Sequence, residues 1–223
     1  MSYPRRAIVL FSGGLDSTTL AVWHHARGDI VEALSIHYGQ RHAKELDAAT
    51  TIVQRYGWRH DIIDLTSVGR LFSGSSQTDA SVPVPHGHFA DETMKATVVP
   101  NRNAILLAVA TGVAISRGAD LVSYAAHAGD RFIYPDCRAP FVSIFEDAMR
   151  IGNEGFISPA FRIARPFIDQ SKTDIARLAR ELHVPIAETW SCYEGGELHC
   201  GRCGTCVERK EALGENDPTL YAP

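Results

Sequence analysis

Residues 6–11 form a continuous apolar run with β-branched content, the pattern of a strand buried on both faces. A helix is expected over 15–27, stopped by Gly28, and a second strand over 30–38. Over 41–56, Leu46, Ala49, Ile52 and Val53 share one face at helical spacing, and Gly57 supplies the stop. A short third strand follows at 60–65. Beyond an irregular stretch come an apolar helix over 102–116, expected to be buried, a strand over 120–126, a helix over 140–151 and an extended segment over 161–167. Over 171–182, Ser171 caps a helix, Asp174 occupies its third position, and Ile175, Leu178, Ala179 and Leu182 make its apolar stripe. A short helix over 207–213 closes the pattern. Strand–helix–strand alternation predicts an α/β fold, a doubly wound parallel sheet with helices on both faces. Residues 1–168 are expected to form that domain and 169–223 a C-terminal helical, cysteine-bearing segment.

One stretch breaks the pattern. Residues 73–97 contain Gly74, Ser75, Ser76, Pro83, Pro85, Gly87 and two histidines. A loop of that length inside a compact domain is functional or mobile, and an active-site lid is expected here beside the plainer reading of a loop.

Composition changes the picture by exclusion. With 45% hydrophobic and 22% charged residues, the 223-residue chain is not disordered, collagen-like or a coiled coil. A net charge of −4 argues against a mainly electrostatic nucleic-acid binder. No apolar run approaches the roughly 20 residues of a membrane span. The basic start, Met1-Ser2-Tyr3-Pro4-Arg5-Arg6, precedes an apolar run too short for the roughly 7–15-residue core of a signal peptide. A soluble cytoplasmic protein is expected. Histidines 24, 25, 60 and 183 stand in no local constellation and read as surface residues.

Four of the five cysteines, Cys192, Cys200, Cys203 and Cys206, crowd into the C-terminal segment with spacing C-x7-C-x2-C-x2-C. A large, otherwise cysteine-poor chain does not need a disulfide framework. Four thiolates can complete a closed tetrahedral zinc site that holds the fold and leaves no open position for catalysis. An iron–sulfur cluster uses similar runs, and disulfides or free thiols are the remaining readings. His199, next to Cys200, is a substitute ligand only if one thiolate is not used. Cys137 stands alone between Asp136 and Arg138 and reads as structural or pocket-lining.

Directly after the first strand, Ser12-Gly13-Gly14-Leu15-Asp16-Ser17 opens the first helix. Two glycines allow a tight turn whose amides approach an anion, and the helix N-terminus adds unpaired N–H groups and its positive dipole end. Ser12 and Ser17 add hydroxyls. Asp16 opposes an anion unless a cation stands between, which points to Mg²⁺; capping the helix is its alternative role. The string is neither a Walker loop nor G-x-G-x-x-G. It resembles the PP-loop ATP pyrophosphatase superfamily, whose members cleave ATP between the α and β phosphates and adenylate a substrate oxygen. The resemblance implies an ATP site over Leu10, Phe11, Ser12, Gly13, Gly14, Leu15, Asp16, Ser17, Thr18, Thr19 and Leu20.

Three further strings join the phosphate loop and the cysteines. They are Tyr38-Gly39-Gln40-Arg41-His42-x-x-Glu45, Val99-Pro100-Asn101-Arg102-Asn103, and Asp130-x3-Tyr134-Pro135-Asp136-Cys137-Arg138. In this order and together they resemble the 7-cyano-7-deazaguanine synthase family of the queuosine-precursor pathway, over most of the chain. The resemblance implies 7-carboxy-7-deazaguanine as substrate. ATP would adenylate its carboxylate, ammonia would displace AMP to give an amide, and a second ATP would activate the amide oxygen for loss of AMP to the nitrile. It also implies Mg²⁺ with the nucleotide, structural zinc, and a homodimer.

On that resemblance Ser12, Asp16, Ser17 and Lys172 are the candidate catalytic residues, Lys172 by meeting a phosphate. Gln40, Arg41, His42, Arg102, Asn103, Asp130, Tyr134, Asp136 and Arg138 are candidate substrate residues. Arg102 and Arg138 suit bidentate grip of phosphate or carboxylate, and Asp136 suits the guanine-like edge; for each charged residue an ordinary ion pair is the alternative. Adenylation needs no covalent nucleophile. No glutaminase segment is seen, so ammonia would come from solution or another protein. The rivals are a PP-loop tRNA thiolase, which needs a catalytic cysteine and a basic extension, and a zinc-bearing nucleic-acid module.

Overall fold

The computed structural model describes residues 4–88 and 94–223. Five strands, β1 (Arg6–Leu10), β2 (Ile30–His37), β3 (Arg59–Asp64), β4 (Leu121–Ser123) and β5 (Arg162–Ala164), form one parallel sheet in the order β3-β2-β1-β4-β5. The chain leaves β1 for β2 and β3 on one side, then returns to place β4 on the other. Strand order therefore reverses beside β1, and a crevice opens at the C-terminal ends of β1 and β4.

Alternation along the strands assigns the helices to faces. Ile8, Leu34, Val122 and Ile163 point to one side, where they pack on α4 (Arg102–Ser116) and Val142 of α6 (Ala139–Gly152). Ala7, Val9, Val31, Ala33 and Leu121 point to the other, against α1 (Leu15–Ala26), α2 (Lys44–Tyr56) and Ile175 of α7 (Lys172–Glu181). Short helices α3 (Thr66–Gly69) and α5 (Asp130–Ile133) occupy connections that hydrophobic periodicity leaves blank. The last helix, α8 (Gly204–Leu213), packs with α7 and α1 through Leu15, Val22, Ala176, Ala179, Ala212 and Leu213.

The elements fall where the pattern places them, with shifted ends: α6 gains a residue at each end and α8 begins three residues early, while others are shorter. Residues 41–43 form a turn before α2, and β4 and β5 are shorter than the apolar runs that contain them. Ser171 accepts from the Asp174 amide while the Asp174 side chain accepts from Ser171 N–H, a complete capping box.

Three expectations need correction. Helix α4 is not buried all round: Leu107, Ala110, Thr111 and Ala114 make one buried face. Its neighbourhood does contain a segment, Lys95–Ser116, long and apolar enough to cross a membrane by length and composition, contrary to the sequence expectation. Within that segment a short 3-10 turn (Lys95–Thr97) is separated from α4 by residues 98–101, and one face of α4 packs on the sheet. His24 is no surface residue. It is buried, donates from Nδ1 to Asp29 Oδ2 (2.7 Å), and meets Ser123 Oγ at Nε2 (2.9 Å), so its polar atoms are satisfied inside the fold. His60 is likewise half inside, 2.7 Å from Ser35 Oγ.

Gly13 is where the fold and the crevice meet. Its φ is +79°, and a Cβ there would stand 2.5 Å from both the Ala49 amide nitrogen and the Glu45 carbonyl oxygen of α2. Alanine would meet the left-handed backbone cost of about 1–2 kcal/mol and a clash with a helix backbone that cannot rotate away. Gly13→Ala is expected to lower unfolding free energy by about 2–5 kcal/mol. Urea denaturation checks it, and a midpoint equal to that of the parent contradicts it.

Candidate active site and metal centre

The turn after β1 carries the loop into α1. Gly14 is the N-cap, and its side gives no cap, so the amides of Leu15, Asp16 and Ser17 lack intrahelical partners. The loop is held by its own hydroxyls. Gly14 N–H donates to Ser12 Oγ (3.2 Å), Ser12 N–H donates to Ser17 Oγ (3.2 Å), and Ser17 Oγ donates to the Gly14 carbonyl (3.2 Å). From behind, Trp190 N–H donates to the Gly13 carbonyl (3.0 Å). The result is a rigid array of donors at a helix N-terminus, open to a cleft of about 270 Å³.

Leu10, Phe11, Ser12, Gly14, Leu15, Asp16 and Ser17 line that cleft. Gly13 lies behind the turn, and Thr18, Thr19 and Leu20 are buried beneath it, with Thr19 Oγ1 donating to the Leu15 carbonyl (2.7 Å). Lys172, at the start of α7, pairs tightly with Asp16 Oδ2, and Glu208 Oε2 of α8 stands 3.5 Å from the same ammonium. Burial opposes the Lys172 charge, but Asp16 and Glu208 outweigh it and hold the pKa above its ordinary value. Burial would likewise raise the Asp16 pKa, yet Lys172 and His127 keep it below. Asp16 Oδ1 is buried without a hydrogen-bond partner. An unpaired carboxylate oxygen beside a phosphate-type loop fits a hard divalent cation.

The second wall comes from the connection after β2 and the start of α4. His42 and Arg102 line the cleft with Tyr38, Glu45, Gln77 and Tyr193. Tyr38 Oη and Arg102 Nη1 both donate to Gln77 Oε1 (3.1 and 3.0 Å), while Gln40 Nε2 donates to Glu45 Oε1 (2.9 Å). Burial pushes the Glu45 pKa up to about 7, against the pull of Gln40 and Arg102. Burial and Arg102 together push His42 down to about 3, which keeps its imidazole neutral. Asn103 and Asp130 complete the rim. Cys137 lines the cleft too; burial and the carboxylates of Asp130 and Asp136 raise its pKa, so the thiol stays protonated.

Five of the substrate candidates are not brought to the cleft, and each is engaged elsewhere. Gln40 is buried and donates to the Ile36 carbonyl (3.2 Å) while accepting from Tyr38 N–H (2.9 Å). The Arg41 guanidinium donates to the carbonyls of Ala80 and Val82 (3.2 and 3.0 Å). Asp136 accepts from the Asn103 amide and side chain (3.0 and 3.1 Å), satisfying the first turn of α4. Tyr134 is buried with its hydroxyl 2.7 Å from Thr97 Oγ1, and Arg138 donates to the Arg131 carbonyl (2.9 Å).

The sequence carries a signal for Tyr38 and Glu45, which belong to a shared string. It carries none for Gln77, Tyr124, Ser191 or Thr205, which reach the cleft only through long-range folding. Gln77 arrives with the irregular loop. Its residues 75–77 are buried, Val84 packs against the cysteines, and His86 forms a β-bridge with Cys203. Residues 89–93 of the expected lid lie outside the described residues.

The sulfur atoms of Cys192, Cys200, Cys203 and Cys206 all lie within 4.8 Å of one another. Backbone N–H groups turn towards them, Cys200 N–H to Cys192 Sγ (3.3 Å) and Cys203 N–H to Cys200 Sγ (3.2 Å), as suits thiolate ligands. Such a set can hold one metal ion. His199 is directed elsewhere: its Nε2 accepts from Ser191 N–H (3.2 Å) and its ring lies on Trp190. The metal segment also builds the cleft. Thr205 Oγ1 donates to the Ser191 carbonyl (2.8 Å), and the buried Arg209 donates to Ser191 Oγ (2.9 Å), the Ile186 carbonyl (2.8 Å) and Thr219 Oγ1 (2.7 Å).

A family model described as "Queuosine biosynthesis protein QueC" matches residues 6–217. The chain is 51% identical over 219 residues to the 7-cyano-7-deazaguanine synthase of Rhizobium rhizogenes and 52% identical over 219 residues to that of Sinorhizobium fredii, covering 97% of this chain and 92% of each relative. The Ruegeria pomeroyi enzyme is 50% identical over 220 residues, 97% of this chain and 94% of its own. Among solved structures, the U34-tRNA thiolase NcsA of Methanococcus maripaludis with its 4Fe–4S cluster superposes with a TM-score of 0.51 at 14% identity, over 97% of this chain and 69% of that one. A 4-thiouridine synthetase in complex with RNA and ATP gives 0.52 at 16% identity, over 81% and 41%. At such identities these two establish the shared PP-loop fold alone.

Removing the metal, by a strong chelator or by Cys203→Ser, is expected to destabilise the protein by about 4 kcal/mol. That corresponds to a fall in Tm of roughly 8–16 °C. Calorimetry with and without chelator checks it; a Tm indifferent to both treatments would contradict a structural metal.

Proposed function

The chain belongs to the QueC family of queuosine biosynthesis, and from that premise we propose how its own residues carry the family's ATP-dependent synthesis of 7-cyano-7-deazaguanine. The observation that carries the proposal is the phosphate-type loop opening on the same cleft as a carboxylate–lysine pair and a polar, ring-sized recess.

The unpaired amides of Leu15, Asp16 and Ser17, with the Ser12 and Ser17 hydroxyls, hold the phosphates of ATP. A carboxylate oxygen of 7-carboxy-7-deazaguanine attacks the α-phosphorus and pyrophosphate leaves. Ammonia then adds to the acyl carbon, AMP leaves, and a proton is released to give the amide. The amide oxygen attacks a second ATP in the same way. Pyrophosphate and one N–H proton leave as the adenylated imidate forms; loss of AMP and the second N–H proton then gives the nitrile. Negative charge builds on the transferred group in each activation, so fixed donors and Lys172 supply the stabilisation. Asp16 would hold a Mg²⁺ ion, whose chemistry there is to screen the phosphate oxygens.

The closed four-thiolate set supports zinc in a structural role. Reduced, unpaired thiols support a cytoplasmic setting. The protonated Cys137 supports amidation by ammonia over sulfur transfer, and the net charge of −4 supports a free base over a nucleic acid as substrate. His42, Arg102, Asn103 and Asp130 are the proposed substrate wall, and the loop over residues 73–88 covers it with Gln77. A homodimer is proposed as the working assembly.

Incubation with ATP, ammonium and 7-carboxy-7-deazaguanine is expected to give the nitrile, AMP and pyrophosphate by mass spectrometry; an unchanged acid refutes the proposal. Asp16→Ala should lower turnover by at least about 10²-fold with the fold retained by circular dichroism, and full turnover would remove Asp16 from the chemistry. Elemental analysis should return zinc in a colourless protein; a brown preparation containing iron would replace it by a cluster.

A further inference from the structure

Five carboxylates stand in or beside the cleft. Asp16 and Glu208 flank Lys172 at the phosphate loop. Asp130 Oδ2 accepts from the His127 amide (2.9 Å). Both oxygens of Asp136 are taken by Asn103. Glu45 differs. It lines the cleft, accepts one hydrogen bond from Gln40 Nε2 (2.9 Å), and has His42 Nε2 at 3.4 Å from its other oxygen. A carboxylate has roughly four acceptor positions, so acceptor capacity is left facing the recess.

Beside it an amide offers the opposite polarity. Arg102 can only donate, so the Gln77 atom that meets Arg102 Nη1 at 3.0 Å is the oxygen. The Gln77 nitrogen then points away, and it is buried with no partner although the side chain is only 1% exposed. The two residues are linked through the connection after β2. Tyr38 Oη donates to Gln77 Oε1, Arg41 N–H donates to the Gln77 carbonyl (2.8 Å), and Gln40 bridges the Tyr38 amide to Glu45. An acceptor and an orphaned donor therefore share one wall, braced from behind.

The pyrimidine edge of a guanine-type base presents one acceptor, its C6 carbonyl oxygen, followed by two donors, N1–H and the 2-amino group. We propose that Glu45 accepts from N1–H and the 2-amino group of the deazaguanine substrate while Gln77 Nε2 donates to its C6 oxygen. This assignment deepens the function proposed above and rests on it. It also gives the guanine-edge role, which the sequence suggests for Asp136, to a side chain that the fold actually presents to the cleft. The carboxylate accepts two roughly parallel N–H bonds, as it does from a guanidinium. Filling the orphaned donor and the spare acceptors is realised only with a base carrying both groups.

The test compares 7-carboxy-7-deazaguanine with the analogue that lacks the 2-amino group, in nitrile formation with ATP and ammonium. The parent enzyme is expected to favour the amino substrate by about 10²-fold or more in kcat/KM, as polar sites reject substrates that leave their groups unpaired. Glu45→Gln should reduce that preference below about tenfold by slowing the amino substrate, with the KM for ATP unchanged. Gln77→Met should slow both acids alike, by about 10²-fold, because both keep the C6 oxygen. Parent enzyme that uses the two acids equally well overturns the assignment, and so does a Glu45→Gln enzyme that loses the same factor on both acids or raises the KM for ATP. If Glu45→Gln does not fold, the parent comparison and Gln77→Met decide. Absence of nitrile from both acids overturns the function itself, whereas nitrile from both at equal rate overturns only the edge assignment.

Discussion

The phosphate loop can bind an anion only if its amides stay unpaired on one side, and that makes support from the other side the governing constraint. Every backbone donor it offers to the cleft is one it cannot use to hold itself. The support comes from two directions. Helix α2 presses its backbone against Gly13, where no side chain fits, and Trp190 N–H closes on the Gly13 carbonyl. Gly14 meets the same segment: a Cβ there would lie 3.3 Å from the Trp190 carbonyl oxygen. The loop is thus rigid because it is wedged, and the wedge is the start of the cysteine segment.

That explains why a metal site remote from any bond-making belongs to the same structure. Cys192 follows Trp190 and Ser191 directly, and Cys203 and Cys206 bracket Thr205, whose hydroxyl fixes the Ser191 carbonyl. Glu208 on the same helix reaches Lys172. A metal gathered by the four thiolates would therefore set the position of one cleft wall and of the lysine's second carboxylate. The ammonium sits between Asp16 and Glu208, so under the proposed function a nucleotide arriving at the loop would meet a cation already held in place and need little reorganisation.

The fold was legible because its information is local. Two-sided apolar strands, glycine stops and a capping box each announce themselves within a few residues, and the parallel sense of the sheet follows from alternation. The phosphate loop and the cysteines were legible for the same reason. The second wall was legible only in part: His42, Arg102, Asn103 and Asp130 were named and line the cleft, while other candidates do not reach it. Arg41 and Asp136 have the right chemistry for a ligand, but an exposed loop offers carbonyls to the one and a helix N-terminus offers amides to the other. Polar groups inside a fold are drawn to such unsatisfied backbone. His24 was misread for the converse reason: its partners, Asp29 and Ser123, lie on different strands or their approaches, and nothing within the local sequence shows that they converge.

On the mechanism proposed above, two activations at one loop impose a final requirement. The oxygen that attacks the second ATP belongs to the amide made from the first, so the substrate must keep its carboxyl-derived oxygen at the same place while its nitrogen is added. Binding through the reacting group cannot achieve this, because that group changes from carboxylate to amide to nitrile. Only contacts to the unchanging ring can hold it, and they must be set in a wall that does not move between steps. The wall formed by Tyr38, Glu45, Gln77 and Arg102 has that character. Its members bond to one another and to backbone, and the imidazole of His42 beside them stays neutral, its pKa pushed down to about 3 by burial and Arg102. Ring recognition and repeated adenylation are then one problem in geometry, met by bracing the phosphate loop and the ring wall through the same helix, α2, which presses on Gly13 and carries Glu45.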